Sequence, residues 1–290
     1  MRASLPPIRH DRTGYSALTE LVRQTQGVTF DQIDIDLSES TWFDGDMCAA
    51  FGAILYRLGR NVNSVGLLNI STEVEKCLSR NGFLSSYGRH LIPDNYGSAI
   101  PYKRFDVGDD HAFQNYVERE LMQRKNMPDM SAGLTKKFSE SVFEVFNNAI
   151  IHSQTQLGIF TCGQFYPRQN RIAFSIADLG IGIRNNVERE IGLKLKADEA
   201  IKWALTAGAT TKTGPIPGGL GLKLLREFVH LNKGRLQIVS ECGYWELSHQ
   251  REDMGLLQYP FPGTVVNIEV NTADSHQYKL SSERPPVDIF

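Results

Sequence analysis

The 290-residue sequence lacks any run of about 18 consecutive apolar residues, so no membrane-spanning helix is expected. Its first residues, MRASLPPIRHDRTG, carry arginines with no apolar stretch behind them, and no secretory leader is expected. Cysteine is scarce. Cys48, Cys77, Cys162 and Cys242 show no CxxC spacing, which argues against a zinc site and a disulfide framework and suits thiols in a reducing cytoplasm. Charge of one sign is also missing: 31 basic against 33 acidic residues leave a formal net charge of -2, with no global attraction for nucleic acid or an anionic membrane. The pattern GxxxxGK[ST] does not occur, which excludes the usual P-loop.

What is present fits a globular α/β protein. The 41% hydrophobic and 22% charged fractions are ordinary for a chain with a buried core, and the length allows two domains. A helix is expected over residues 16–26, a strand in VTFDQIDIDLS, a helix over 45–58, a strand in VGLLNI and a helix from Ser71 to Gly82. LIPDNYGSAIPYKRFDVG, residues 91–108, is aperiodic and holds two prolines and two glycines, so it reads as a linker. Long helices follow over 111–124 and 133–152, then a hairpin of LGIFTCGQFY and RIAFSIAD, helices over 197–206 and 220–231, and strands RLQIVS and TVVNIEV. The reading divides the chain into a helical segment 1–27, an α/β domain 28–100, a second α/β domain 105–271 and a polar tail 272–290.

One helix carries an odd cargo. In ESVFEVFNNAIIHS, residues 140–153, Val142, Val145, Phe146, Ala149 and Ile150 form an apolar stripe, while Glu144, Asn148 and His152 fall four apart on another. Adjacent Asn147 and Asn148 each weaken a helix by roughly 0.5 kcal/mol relative to alanine. A solvated face is the ordinary explanation for such a polar stripe, but Ile151 among these residues suggests a face that something covers.

Two glycine clusters follow. RIAFSIAD runs into LGIGI, placing Asp178 at a strand end with Gly180 and Gly182 behind it, where the backbone can turn sharply and approach a flat ligand. A carboxylate there can accept a hydrogen bond from an exocyclic amine, although Asp and Gly are also common turn residues. TKTGPIPGGLGLKLL, residues 211–225, leads into a helix whose first N–H groups suit an anion such as phosphate.

Taken in order, these segments resemble the ATP-binding fold shared by DNA gyrase, the chaperone Hsp90, histidine kinases and the mismatch-repair protein MutL. ExxxNAxxH at 144–152 is similar to the first motif of that superfamily, Asp178 to Gly182 to the second, Gly218 to Leu222 to the third and Gly263-Thr264 to the terminal element. The resemblance covers about residues 105–271 and implies a Bergerat-type α/β sandwich, a mixed sheet covered on one face by helices. It implies ATP and Mg²⁺ as cofactors. Asn148 would give its carbonyl oxygen to the metal and Glu144 would act as general base. Asp178, with Gly180 and Gly182 beside it, would read the adenine amine, helped through water by Thr264. Gly218, Gly219, Leu220 and Gly221 would offer backbone N–H groups to the phosphates, and Lys212 in the lid would meet the terminal phosphate. Ile216 and Pro217 stand where relatives usually have another glycine, which implies a stiffer lid.

Residues 28–90 resemble the STAS domain of anti-sigma factor antagonists. Where those domains present a phosphorylated serine, this sequence reads Asp44-Gly45-Asp46, without a hydroxyl; Asp46 would supply a fixed charge or cap a helix. His111 lacks the acidic neighbour of a histidine-kinase phosphoacceptor. The resemblances imply a cytoplasmic signalling protein with a protein partner, leave a homodimer open and give no reason to expect nucleic acid or a membrane. Two functions follow: a Mg-ATP-dependent serine/threonine protein kinase or ATPase, or a non-catalytic ATP-binding switch acting on its partner through the STAS-like half.

Overall fold

The structure is a computed structural model and describes residues 1–151, 153–206 and 220–283. The N-terminal part is a three-stranded parallel sheet ordered β1-β2-β3, made by β1 (Arg2–Ser4), β2 (Gln32–Asp36) and β3 (Ser64–Leu68). Helix α1 (Arg12–Gln24) connects the first two strands, α2 (Cys48–Arg60) the next two, and α3 (Thr72–Arg80) follows. Ile33, Ile35, Val65 and Leu67 face the helices, whereas Gln32, Asp34 and Asp36 alternate with them on the other face, the period-two pattern of a sheet packed on one side. Asp11 starts α1 by accepting the N–H groups of Thr13 and Gly14. Ser71 stands at the start of α3, but its hydroxyl makes no capping bond.

The larger sheet has five strands ordered β4-β5-β6-β8-β7. They are β4 (Ala99–Phe105), β5 (Ile159–Tyr166), β6 (Arg171–Asp178), β7 (Arg235–Ser248) and β8 (Arg251–Asn271). α4 (Asp110–Val117) and α5 (Ala132–Ile151) lie between β4 and β5; α6 (Ile183–Ile191), α7 (Ala197–Ala204) and α8 (Leu220–Asn232) lie between β6 and β7. Each pairing is antiparallel, which corrects the expected mixed sheet: β5–β6 and β7–β8 are tight hairpins, and β8 returns beside β6 in the opposite sense.

Both faces of this sheet are covered, a second departure from the one-sided sandwich. Ile172, Phe174, Ile176, Ile238 and Ile268 pack beneath α4, α5 and α8. Phe160, Cys162, Ala177, Val239 and Val265 point the other way and share one core with Leu18, Met47, Phe51 and Leu55 of the N-terminal part. Strands buried on two sides favour apolar residues at consecutive positions, which explains why β5 and β6 are mostly apolar along buried runs that Thr161 and Ser175 interrupt.

The stretch read as a linker holds β4. Pro101 is tolerated because β4 is an edge strand. The segment read as a polar tail is partly docked: Tyr278 is buried, bridges Met130 and packs edge-on against Phe228. Helix 111–124 is α4 followed by a wider turn over Glu118–Met122, and the arms of β7 and β8 beyond Ser240 and before Thr264 extend the expected strands. Among the described residues, no helix is long and apolar enough to cross a membrane.

Candidate functional site

The apolar stripe of α5 is as expected: Val142, Val145, Phe146 and Ala149 are buried, and Ile150 is partly buried against the same core. Glu144 and Asn148 are half-buried on its flank, but Ile151 is 56% exposed, so its presence does not mark a covered face among the described residues. Just beyond α5, the Ser153 carbonyl accepts the Ile181 N–H at 2.8 Å, joining the end of the asparagine-bearing helix to the loop after β6.

Asp178 lies at the C-terminal end of β6 on the sheet face that α5 and α8 cover, opposite Thr264 in register. It is 4% exposed. Its carboxylate accepts N–H groups from Gly180, at 2.8 Å, and Thr264. Burial nevertheless dominates those bonds and pushes its pKa up to about 7. Ser240 of β7 pairs with Thr264, and the two hydroxyls lie 2.9 Å apart. Ser240 also accepts the Ile183 N–H at 2.8 Å, fixing the first turn of α6. Sequence reasoning missed Ser240, because its link to Thr264 depends on strand register.

The glycines permit close backbone approach. A Cβ on Gly180 would stand 2.2 Å from that of Ser153, and one on Gly263 would stand 2.1 Å from the Asp178 carbonyl oxygen. Gly182, at φ +80°, turns the chain into α6 with its Cα packed on Glu241, so it shapes the loop from behind.

Leu220 opens α8, and the Gly221 N–H donates to Glu144 Oε2 at 2.7 Å. The expected base and one expected phosphate donor are therefore adjacent, and the carboxylate serves the helix N-terminus as an anion does. His152, Lys212, Gly218 and Gly219, with the lid around them, lie outside the described residues. The structure thus brings Glu144 to Gly221, Asp178 to Gly180 and Thr264, and the end of α5 to the 178–182 loop.

Asp46 has a different position from either reading of the sequence. It is fully buried between the N-terminal part and the large sheet, bonded to His10 Nδ1 at 2.9 Å, to the Tyr166 hydroxyl at 2.7 Å and to the Asn267 amide at 2.6 Å, and caps no helix. His10 also pairs with Glu269 at 2.8 Å. Burial disfavours its charge, but the two carboxylates overcome this and raise its pKa to about 9. Arg171 Nη1 also reaches Glu269 Oε2, at 2.6 Å. With both His10 ring nitrogens protonated, the 2.8 Å approach of that guanidinium to His10 Nε2 brings together two donors that share one acceptor.

Among the described residues no cluster of His, Cys, Asp or Glu forms a ready metal site. Comparison with protein-family models and with curated proteins returns no match.

Proposed function

We propose that this protein binds ATP with Mg²⁺ between α5 and the C-terminal end of β6, in the manner of the gyrase, Hsp90, histidine kinase and MutL superfamily. The observation that carries the reading is Asp178: a buried carboxyl with no cationic hydrogen-bond partner among the described residues, held at a strand end beside a glycine loop that touches the end of the Asn148 helix. Such a group is suited to an exocyclic amine, which offers a donor where water is excluded. Asn148 supplies an amide oxygen for a hard cation, and the α8 N-terminus supplies N–H groups for phosphate. On this reading Glu144 activates the hydroxyl or water that attacks the terminal phosphate, making the protein an ATP-dependent serine/threonine kinase or ATPase.

The Glu144–Gly221 bond favours a second reading, a switch. With its carboxylate engaged by α8, Glu144 is tied to the element that phosphate would bind, and nucleotide occupancy then changes the packing of α8 rather than driving turnover. Calorimetry with Mg-ATP, together with separate measurement of free phosphate and of labelled protein in cell extract, tests both. Absence of binding by the intact chain removes the proposal; binding without phosphate release or transfer selects the switch.

A further inference from the structure

Sheet edges expose unpaired backbone groups and are normally blunted. Here β4 carries Pro101, its Ala99 and Pro101 carbonyls are taken by Arg124 and Tyr116, and the Tyr102 N–H goes to Asn81. β7 has the backbone of α7 packed against it at Gly243. β1 is only three residues long and bears Arg2. β3 differs from all of these. Among the described residues it pairs with β2 alone, and the segment VNSVGLLNI, residues 62–70, contains neither a proline nor a charge. Ser64 donates its N–H to Asp31 and Leu68 accepts from Leu37, both on the β2 side, so by alternation Val65 and Leu67 direct their N–H and C=O groups outward.

At Asn63 and Val65 the strand borders a groove of about 780 Å³ whose remaining lining comes from the end of α2, Ser86 and Tyr87, β4 and the start of α4. Cations border it. Arg60 has no ion-pair partner among the described residues, Lys103 meets only the Tyr116 ring at 5.8 Å, and Arg104 stacks on Tyr56 at 4.6 Å while pairing with Asp106. Asp109, the one lining carboxylate among the described residues, accepts the Asp106 N–H at 2.8 Å. The lining therefore favours negative side chains. The volume lies within the about 300–1,000 Å³ of ordinary ligand clefts.

We propose that an extended acidic peptide segment of a partner protein binds here as a fourth strand on β3, through the outward groups of Val65 and Leu67, with its carboxylates toward Arg60 and Lys103. A second copy of this chain is the less suitable occupant, because it would bring its own sheet and helices against the β4–α4 wall, whereas one strand would not.

The test uses the full chain and a fluorescein-labelled peptide of alternating glutamate and valine, read by anisotropy. Its lysine–valine counterpart should bind at least about tenfold more weakly, as should a version N-methylated along the pairing edge. The double variant Arg60→Glu, Lys103→Glu should lose about tenfold for the acidic peptide with its thermal midpoint unchanged. The N-methylated comparison needs no variant, so it decides the matter even if the double variant misfolds. No binding up to about 1 mM, equal binding of the basic or N-methylated peptide, or an unaltered double variant overturns the proposal. So does sedimentation showing a dimer that the acidic peptide does not dissociate.

Discussion

Glu144 Oε2 accepts the Gly221 N–H at 2.7 Å, and a Cβ added at Gly221 would stand 2.6 Å from that same oxygen. The protein's own carboxylate thus lies where the first turn of α8 would meet a phosphate. If phosphate binds there as proposed, two anions would compete for one set of donors at a helix N-terminus.

Removing Glu144 should therefore have opposite effects on binding and chemistry. Glu144→Ala is expected to tighten Mg-ATP binding by about threefold to tenfold, through loss of the competing anion. It should also lower phosphate release or transfer by about a hundredfold or more, through loss of the base. Calorimetry and a phosphate-release assay measure the two separately; weaker nucleotide binding in the variant would contradict the competition.

Asp178→Asn should weaken ATP binding about tenfold or more, since a charged acceptor contributes about 1.5–3 kcal/mol to such a bond. The sign for the ligand-free fold is reversed. Asp178 has a folded pKa raised from 3.8 to about 7, so the native state holds its proton more tightly, and this contribution to stability is lost as pH rises through that window. Asparagine keeps an acceptor for Gly180 and Thr264 without the buried charge, and should raise the melting temperature at about pH 8 more than at about pH 5. ATP binding to the natural chain should strengthen as pH rises through about 7, while the variant shows a flatter profile.

Much of this arrangement was legible in the sequence because it follows periodicity. The α5 stripe, the β5–β6 hairpin and the strand end at Asp178 all come from local patterns that tertiary packing reinforces. What escaped depends on contacts distant in the chain. β4 was hidden by Pro101, which its edge position and the irregular pairing between Ile100 and Lys103 permit; β1 is three residues long and exists because β2 lies beside it. Covering of the large sheet's second face by α1 and α2 was invisible because helical amphipathicity shows that a face is buried, not against what. Ser240 joined the site through register, and Asp46 found its partners in His10, Tyr166 and Asn267, up to 221 positions away.

That buried junction gives a pH dependence of its own. His10 has a folded pKa near 9 against 6.5 unfolded, so its contribution is complete below about 6.5 and lost as pH rises through about 9. Asp46 and Glu269 resist the cost of burial through His10, and both pKa values fall to about 2; their contribution is lost as pH falls through that value. Denaturant unfolding should show a decline in stability from about pH 7 to about pH 10 that His10→Gln flattens. His10→Ala should cost about 3–5 kcal/mol at neutral pH, chiefly by leaving the buried Asp46 carboxylate without its cation, since Glu269 keeps Arg171.

Gly180 tests whether the contact between α5 and the 178–182 loop matters for the site. An added methyl would overlap Ser153 at its Cβ, at 2.2 Å, and at its carbonyl oxygen, at 2.3 Å, and neither position can yield without moving the end of α5. Gly192 provides the comparison: its φ of +71° makes a side chain strained, but nothing lies within 4 Å of its Cβ. Gly192→Ala should cost about 1–2 kcal/mol of stability and leave Mg-ATP affinity unchanged. Gly180→Ala should cost about 1–3 kcal/mol and also weaken Mg-ATP binding, because the displaced loop carries the N–H that holds Asp178. Equal loss of affinity in the two variants, measured where both remain folded, would show that stability alone, and not the α5 contact, governs the site.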